Sequence, residues 1–348
     1  MGKSLTGLLE SWYGREARDL PWRRTSDSYA IWISEAMLQQ TRVEAVIGYW
    51  LRFLERFPDV NSLAAADEQA VLEAWSGLGY YRRARALQAS AQVIVREHGG
   101  RFPETRHAAL ALPGVGPYTA GAVLSIAYGQ REALVDGNVE RVFARLFGIE
   151  SVTASAMLKG QAWDLALELI AHPKNPGHWN QALMELGAVI CTPRAPRCLL
   201  CPVAEHCRAS ASGDPARLPL PKAKKPPTPV EARMAWVTRG EDLLLEQRPA
   251  GGRMAHMWQL PTVEHVSEGA GEGLYPVDWP GGISLELGEI IGELRHSITR
   301  YALRVWLHRA ACPELIEREA QTPLRWVPRA EASQLALTGL TKKAFALF

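Results

Sequence analysis

Residues 112–121 read LPGVGPYTAG. Two glycines, one valine apart, follow a Leu-Pro pair, and Pro117 opens a run of helix-compatible residues. Gly114 and Gly116 tolerate positive φ and let another chain come close. Pro117 suits the first turn of a helix, where its missing N–H is no loss. The amides at such a helix start can bind an anion such as a phosphate. Taken alone, the stretch reads more readily as a tight turn between TRHAALA (105–111) and the helix beginning near Pro117. Its surroundings decide between the two readings.

Those surroundings are helical. Residues 1 to about 213 carry apolar residues at helical spacing, punctuated by Gly and Pro. In TRVEAVIGYWLRFLERF (41–57), Val43, Val46, Ile47, Trp50, Leu51 and Leu54 recur at that spacing. Thr41 with Glu44 matches a capping box. Further helices are expected around 67–76, 80–98, 105–111, 117–129, 138–146, 160–171 and 178–190. The stretch PARLPLPKAKKPPTPV (215–230) loses this periodicity, and its Pro and Lys content predicts an extended linker. Beyond it the period becomes two. ARMAWVTRGEDLLLEQRP (232–249) predicts two strands around a turn at Arg239–Asp242. In YALRVWLHRA (301–310), Tyr301, Leu303, Val305 and Leu307 share a face. TKKAFALF (341–348) predicts a closing helix, and an irregular Gly-rich loop is expected near 267–282. A mainly α region followed by a smaller α+β domain results.

The 348 residues, 47% of them hydrophobic, suffice for two or three packed domains. A net charge of +2 does not by itself suggest nucleic acid. The basic clusters RRAR (82–85) and Lys222, Lys224 and Lys225 are of a kind that usually forms solvated faces. No apolar run is long enough for a membrane span, and the first 25 residues do not resemble a signal peptide. A soluble, cytoplasmic, monomeric protein without a membrane partner is expected.

Four of the five cysteines fall in CTPRAPRCLLCPVAEHC (191–207), with spacing C-x6-C-x2-C-x5-C. Cys191, Cys198, Cys201 and Cys207 could wrap one zinc ion or one iron–sulfur cluster, since thiolates are soft ligands. A zinc ribbon would show two C-x2-C pairs, and one is present here. Four buried structural cysteines are the plainer alternative. Arg194, Arg197 and Arg208 surround the set, and Cys312 stands apart.

LPGVGPYTAG, the downstream VDGNVERV (135–142) and the four-cysteine loop together resemble the helix-hairpin-helix DNA glycosylase superfamily. LPWR (20–23), SEAMLQQTRV (34–43), WSGLGYYRRAR (75–85) and VDGNV (135–139) narrow the resemblance to the MutY family. That family excises adenine mispaired with 8-oxoguanine. The resemblance covers most of residues 8–210 and implies a layout. Residues 26–130 would form a six-helix barrel with the hairpin. Residues 1–25 and 131–213 would form an iron–sulfur domain carrying a 4Fe–4S cluster. Residues 214–230 would be the linker and 231–348 a MutT-like lesion-recognition domain. The partner implied is double-stranded DNA with A:8-oxoguanine or A:G mispairs. The endonuclease III branch carries a lysine nucleophile where Tyr118 stands, and tyrosine cannot form a Schiff base. The resemblance therefore implies hydrolysis without a dedicated lyase step.

Breaking a glycosidic bond passes through an oxocarbenium-like state, so the base must be protonated and the sugar cation stabilised. Glu35 sits in IWISEAMLQQ, among apolar and uncharged residues. Burial there would raise its pKa and hold a proton ready; a solvent-facing helix glutamate is the alternative. As a carboxylate, Asp136 could stabilise the cation electrostatically or through a transient covalent bond. It could equally cap the helix that follows, or leave that task to Asn138. By resemblance, Glu35 protonates adenine N7, while Tyr118 and Asn138 position water and Asp136. Gly114, Val115 and Gly116 hold a DNA phosphate. Gln39, Gln40 and Thr41 contact the extruded base and the gap it leaves, and Tyr80 wedges beside 8-oxoguanine. Trp22, Arg23, Leu38 and Glu185 match residues around the adenine pocket and the damaged pair. The target base must leave the duplex to be reached.

The region 231–348 has no glutamate-rich REx2E metal box, so recognition rather than hydrolysis is expected of it. Where the family has Phe-Ser-His, this chain has Ile298-Thr299-Arg300. Thr299 keeps a hydroxyl donor; Ile298 lacks a ring and Arg300 changes shape and charge. A glycosylase of another mismatch, such as T:G, and a non-catalytic iron–sulfur DNA-binding protein are the competing readings. Intact Glu35 and Asp136 weigh against the second.

Overall fold

The computed structural model describes residues 2–223, 226–249, 254–266, 279, 283–298, 300–312 and 324–348. In chain order the helices are α1 (Gly2–Glu16), α2 (Ser28–Leu38), α3 (Val43–Arg56), α4 (Val60–Ala65), α5 (Glu68–Ala74) and α6 (Arg82–Glu97). Then come α7 (Arg106–Ala111), α8 (Pro117–Tyr128), α9 (Gly137–Leu146), α10 (Ala156–Leu169), α11 (Pro176–Glu185) and α12 (Arg208–Ala211). A π-helical turn, Leu186–Ile190, continues α11. Two compact units emerge, one of Met1–Ala66 with Arg85–Ala223, the other of Asp67–Ala84 with Lys224–Phe348.

The first unit is helical because its apolar stripes have partners. Leu5, Leu9, Trp12 and Tyr13 of α1 share a core with Val139, Val142 and Phe143 of α9 and Ala182 and Leu183 of α11. Each fully buried Leu or Phe of this kind contributes about 1.5–3 kcal/mol. Helix ends follow local chemistry. Asp27 caps α2 by accepting from the amides of Tyr29 and Ala30. Gly129, at φ 65°, ends α8 in the left-handed region that glycine enters freely. Gly121 lets α8 touch the chain before α9, since a Cβ there would lie 2.1 Å from the Ala133 carbonyl oxygen.

Three local expectations are corrected. The α3 N-cap is Arg42, with no side-chain cap bond, so Thr41 and Glu44 form no capping box. In the hairpin loop Gly114 has φ +73°, whereas Gly116 has φ −97° and serves as the α8 N-cap. The linker does not begin at 214. Leu218 is buried, Arg145 Nε donates to its carbonyl at 2.8 Å, and Leu220 pairs with Val152. Residues up to 220 are therefore tied to the helical unit.

The second unit contains a mixed sheet of β1 (Thr228–Arg239), β2 (Asp242–Gln247), β3 (Trp258–Gln259), β4 (Thr262–Val266), β5 (Glu286–Ile298), β6 (Tyr301–Ala311) and β7 (Leu324–Pro328). Its order is β3-β2-β1-β6-β5, with β4 also on β1 and β7 also on β2. β1 and β6 run parallel and the other pairs antiparallel. Gly240, at φ 61°, makes the β1–β2 turn where expected. Val230, Ala232 and Met234 of β1 and Leu303, Val305 and Leu307 of β6 point to one core. Two short helices, α13 (Arg329–Ala332) and α14 (Gly339–Phe345), close the chain, and Leu340 and Ala344 of α14 join that core. The Gly-rich loop expected near 267–282 lies almost wholly outside the described residues.

Candidate active site

The first turn of α8 brings Tyr118 onto α2, which carries Glu35. Glu35 is 4% exposed, on a helix whose neighbours Ile33, Ser34 and Met37 are fully buried. The Tyr118 hydroxyl donates to Glu35 Oε2 at 2.5 Å and lies 3.3 Å from Met184 Sδ. Burial pushes the Glu35 carboxyl up to about 7, aided by repulsion from Asp136 and opposed by the Tyr118 hydrogen bond and Arg23. The carboxyl thus holds a proton near neutral pH, as a general acid must. Burial, with the charges of Glu35 and Asp136, also raises the Tyr118 pKa, so its hydroxyl stays a donor.

Asp136 is the N-cap of α9. Its Oδ1 accepts from the amides of Asn138 (2.9 Å) and Val139 (2.8 Å), and its Oδ2 accepts from Asn138 Nδ2 at 2.9 Å. Asp136 itself therefore caps the helix and Asn138 does not, while the Asn138 amide fixes the carboxylate from the side. Burial raises the Asp136 pKa, and these donors together with Arg141 pull against that rise.

Glu35, Asp136, Tyr118 and Asn138 line one cavity of about 170 Å³, with Trp22, Arg23, Leu38, Thr41 and Glu185. Glu185, 1% exposed, accepts from Arg18 Nε at 2.7 Å, Arg18 Nη2 at 2.8 Å and Arg23 Nη2 at 2.9 Å. Burial alone would raise its pKa; the two guanidiniums outweigh that and hold it at about 2. A permanent anion between two cations thus faces a protonatable acid across one pocket.

Other expected residues lie elsewhere. Gln39 does not line the cavity; its Nε2 is 3.4 Å from Thr119 Oγ1. Gln40 is exposed at φ 60°, and in the second unit Tyr80 is 44% exposed at φ 49°. Both are non-glycine residues in the left-handed region, a strain that clusters at functional sites. Val115 is buried in the core at 6% exposure, which leaves its backbone, not its side chain, for any phosphate. Gly114 is exposed and irreplaceable on packing grounds, because a Cβ would lie 2.6 Å from Ala86 Cβ. Ile298 pairs with Tyr301 across the β5–β6 turn and packs at the rim of the sheet core. Arg300 Nη2 donates to the Tyr301 hydroxyl at 2.9 Å, and Thr299 lies outside the described residues.

Cys191, Cys198, Cys201 and Cys207 line a second cavity, with Arg145 and Ile190. Burial raises Cys201 to about 11 and also raises Cys207, with Cys191 and Cys198 adding to both. Among the described residues no group of three or more His, Cys, Asp or Glu is arranged to hold a single metal ion. The sequence reading missed two arginines, four positions apart on α9, that tie this loop down. Arg145, 1% exposed, reaches Cys191 Sγ at 3.3 Å and the carbonyls of Thr192 and Pro193 at 2.7 and 2.8 Å. Arg141 reaches the Cys191 carbonyl at 2.8 Å and Asn138 Oδ1 at 2.9 Å. A spacing of four on the helix just after VDGN was the available signal. Arg18 and Met184 also line the active cavity without having been expected there.

Comparison with known proteins is consistent with this geometry. Residues 33–165 match the HhH-GPD superfamily of base excision DNA repair proteins, and residues 233–347 match the NUDIX domain. Human adenine DNA glycosylase is 34% identical over 98% of this chain and 73% of its own. The enzyme of Buchnera aphidicola subsp. Schizaphis graminum is 39% identical over 63% of each. A thermostable thymine-DNA glycosylase is 30% identical over 61% of this chain and 97% of its own, with a TM-score of 0.54. An endonuclease III in a non-covalent DNA complex, 20% identical with a TM-score of 0.51, shares the fold over the same 61%. The chain is a DNA N-glycosylase and belongs to the adenine DNA glycosylase family of base excision repair.

Proposed function

We propose that the enzyme releases adenine mispaired with 8-oxoguanine, and with G, from duplex DNA by hydrolysis without a lyase step. The observation that carries this is the Glu35–Tyr118 hydrogen bond in a cavity shared with Asp136 and Asn138. Glu35 protonates the base, and the electrons of the glycosidic bond leave with it. The Asp136 carboxylate, held by Asn138 and two backbone amides, stabilises the sugar cation until water adds at C1′ and loses a proton. Tyr118 keeps the acid oriented and supplies no amine for a Schiff base. Arg18 and Arg23, fixed by Glu185, offer donors to the edge of the flipped base. The exposed Gly114 turn and the start of α8 hold a phosphate. Tyr80 wedges beside the opposite base.

The four thiols fit a 4Fe–4S cluster. All four line one cavity, and soft thiolates are the ligands such a cluster takes. When bound, the cluster would cross-link residues 191–207 and hold that loop, whose carbonyls Arg141 and Arg145 bind.

Release of thymine opposite G is the second reading. The similarity to a thymine-DNA glycosylase and the Ile298-Thr299-Arg300 triplet favour it. Single-turnover base release from duplexes holding A opposite 8-oxoguanine, A opposite G and T opposite G separates the two. Fast adenine release opposite 8-oxoguanine and slower release opposite G support the first. Thymine release, or equal rates opposite 8-oxoguanine and G, overturns it.

A further inference from the structure

The loop between Trp75 and Arg82 is strained. Gly77, Gly79 and Tyr80 have φ of 110°, 71° and 49°. Glycine enters this region freely and tyrosine does not. A residue so placed, 44% exposed, persists only where its surroundings over-determine it. Part of the hold is local. The Trp75 indole donates to the Gly79 carbonyl at 3.1 Å. Arg83 Nη2 donates to the carbonyls of Leu78 and Gly79 at 3.1 and 3.2 Å, and its guanidinium lies 5.5 Å from the Tyr80 ring centre.

A further contact comes from the far end of the chain. Lys342 Nζ, on α14, donates to Ser76 Oγ at 2.6 Å across 266 positions. Residues 67–84 accordingly fall in one compact unit with residues 224–348. The next residue, Lys343, donates to the Arg295 carbonyl at 3.0 Å, three residues before β5 turns into β6 at Ile298. Helix α14 is itself fixed. Thr338 caps it through the Thr341 amide, and Leu340 and Ala344 anchor it in the sheet core. One anchored helix thus holds, through adjacent lysines, both the loop that carries Tyr80 and the strand that leads to the candidate recognition turn.

We propose that Lys342 is a positioning residue for Tyr80, so that α14 sets how well the enzyme tells 8-oxoguanine from G. This rests on the reading of Tyr80 as the wedge beside the opposite base. Without Lys342, the 77–80 segment can relax toward negative φ and carry the ring away. Opposite-base discrimination then falls, while the chemistry of Glu35 and Asp136 is left in place.

The test is single-turnover adenine release, opposite 8-oxoguanine and opposite G, by the full chain. The set holds Lys342→Ala, Ser76→Ala, their double variant, Lys342→Arg and Tyr80→Ala, and DNA affinity is followed against salt. Lys342→Ala and Ser76→Ala should each lower the ratio of the two rates about three- to tenfold. The double variant should lower it by less than the two single losses combined, because the Lys342–Ser76 contact is common to both. Lys342→Arg should retain the ratio, and the salt dependence should not change. Additive losses, or an intact ratio in Lys342→Ala while Tyr80→Ala lowers it, overturn the proposal. So does a salt slope reduced by about one phosphate contact, which would make Lys342 a DNA ligand instead. If Tyr80→Ala itself leaves the ratio intact, the wedge reading fails first.

Discussion

Relative to the wild type, Glu35→Gln should gain stability as pH rises. In the wild type the buried Glu35 carboxyl titrates at about 7 instead of 4.5, chiefly because burial disfavours its charge. A folded-state pKa above the unfolded one fixes the sign. The stability associated with Glu35 is fully present below about pH 4.5 and is lost as pH rises through about 7. At about 1.4 kcal/mol per pH unit, the displacement amounts to about 3 kcal/mol once the acid is forced to ionise. Glutamine cannot ionise, and its carbonyl can still accept the Tyr118 hydroxyl. Its amide hydrogens lose solvent, which costs about 1–3 kcal/mol, but equally at every pH. The decisive quantity is therefore the change in the variant's relative stability between about pH 5 and pH 8, about 2–3 kcal/mol. Urea unfolding followed by far-UV circular dichroism measures it, with the helical unit's transition fitted separately from that of the sheet unit. A relative stability that stays flat across this range, or that falls as pH rises, would refute the assignment of a buried, proton-holding Glu35.

Other consequences follow from the same site. Base release should fall above about pH 7, where Glu35 loses its proton. In Tyr118→Phe the alkaline limb should move up by about one pH unit, because the lost hydrogen bond had favoured the carboxylate; a limb that stays put or moves down contradicts this. At Gly187 a Cβ would lie 2.6 Å from Asn138 Cβ, so Gly187→Ala should displace Asn138 and slow release about tenfold to a hundredfold. A wild-type single-turnover rate in that variant would show that Asn138 need not be held. The purified protein should contain iron and absorb accordingly, and Cys198→Ser should lower both; zinc without iron on elemental analysis would contradict the cluster.

Much of this was legible in the sequence, for identifiable reasons. Periodicity revealed the strand β6, where Leu303, Val305 and Leu307 are buried, and the existence of α3, although that helix buries Phe53 with Val46 and Trp50 and leaves Leu51 exposed. Glu35 stood out as a charge in an apolar helix, and Asp136 as a carboxylate before a helix start. The unread part depended on contacts across the fold. Thr41 and Glu44 have capping-box spacing, but α3 begins one residue later than that spacing implies. Leu218 sits in a proline-rich stretch that looks solvated, yet Arg145, a residue on α9, captures its carbonyl. Arg18 gains its place only because Glu185, far along the chain, folds back onto it. The strain at Gln40 and Tyr80 has no sequence signal, since neither is a residue type that favours positive φ.

The role of Glu35 as the acid is tested most directly by single-turnover adenine release from an A:8-oxoguanine duplex by wild type and Glu35→Gln, under conditions where both are folded and bind the duplex. General acid catalysis is worth about a hundredfold to ten-thousandfold, and a loss of that size is expected. Release by the glutamine variant within a few-fold of the wild-type rate would show that the proton comes from elsewhere.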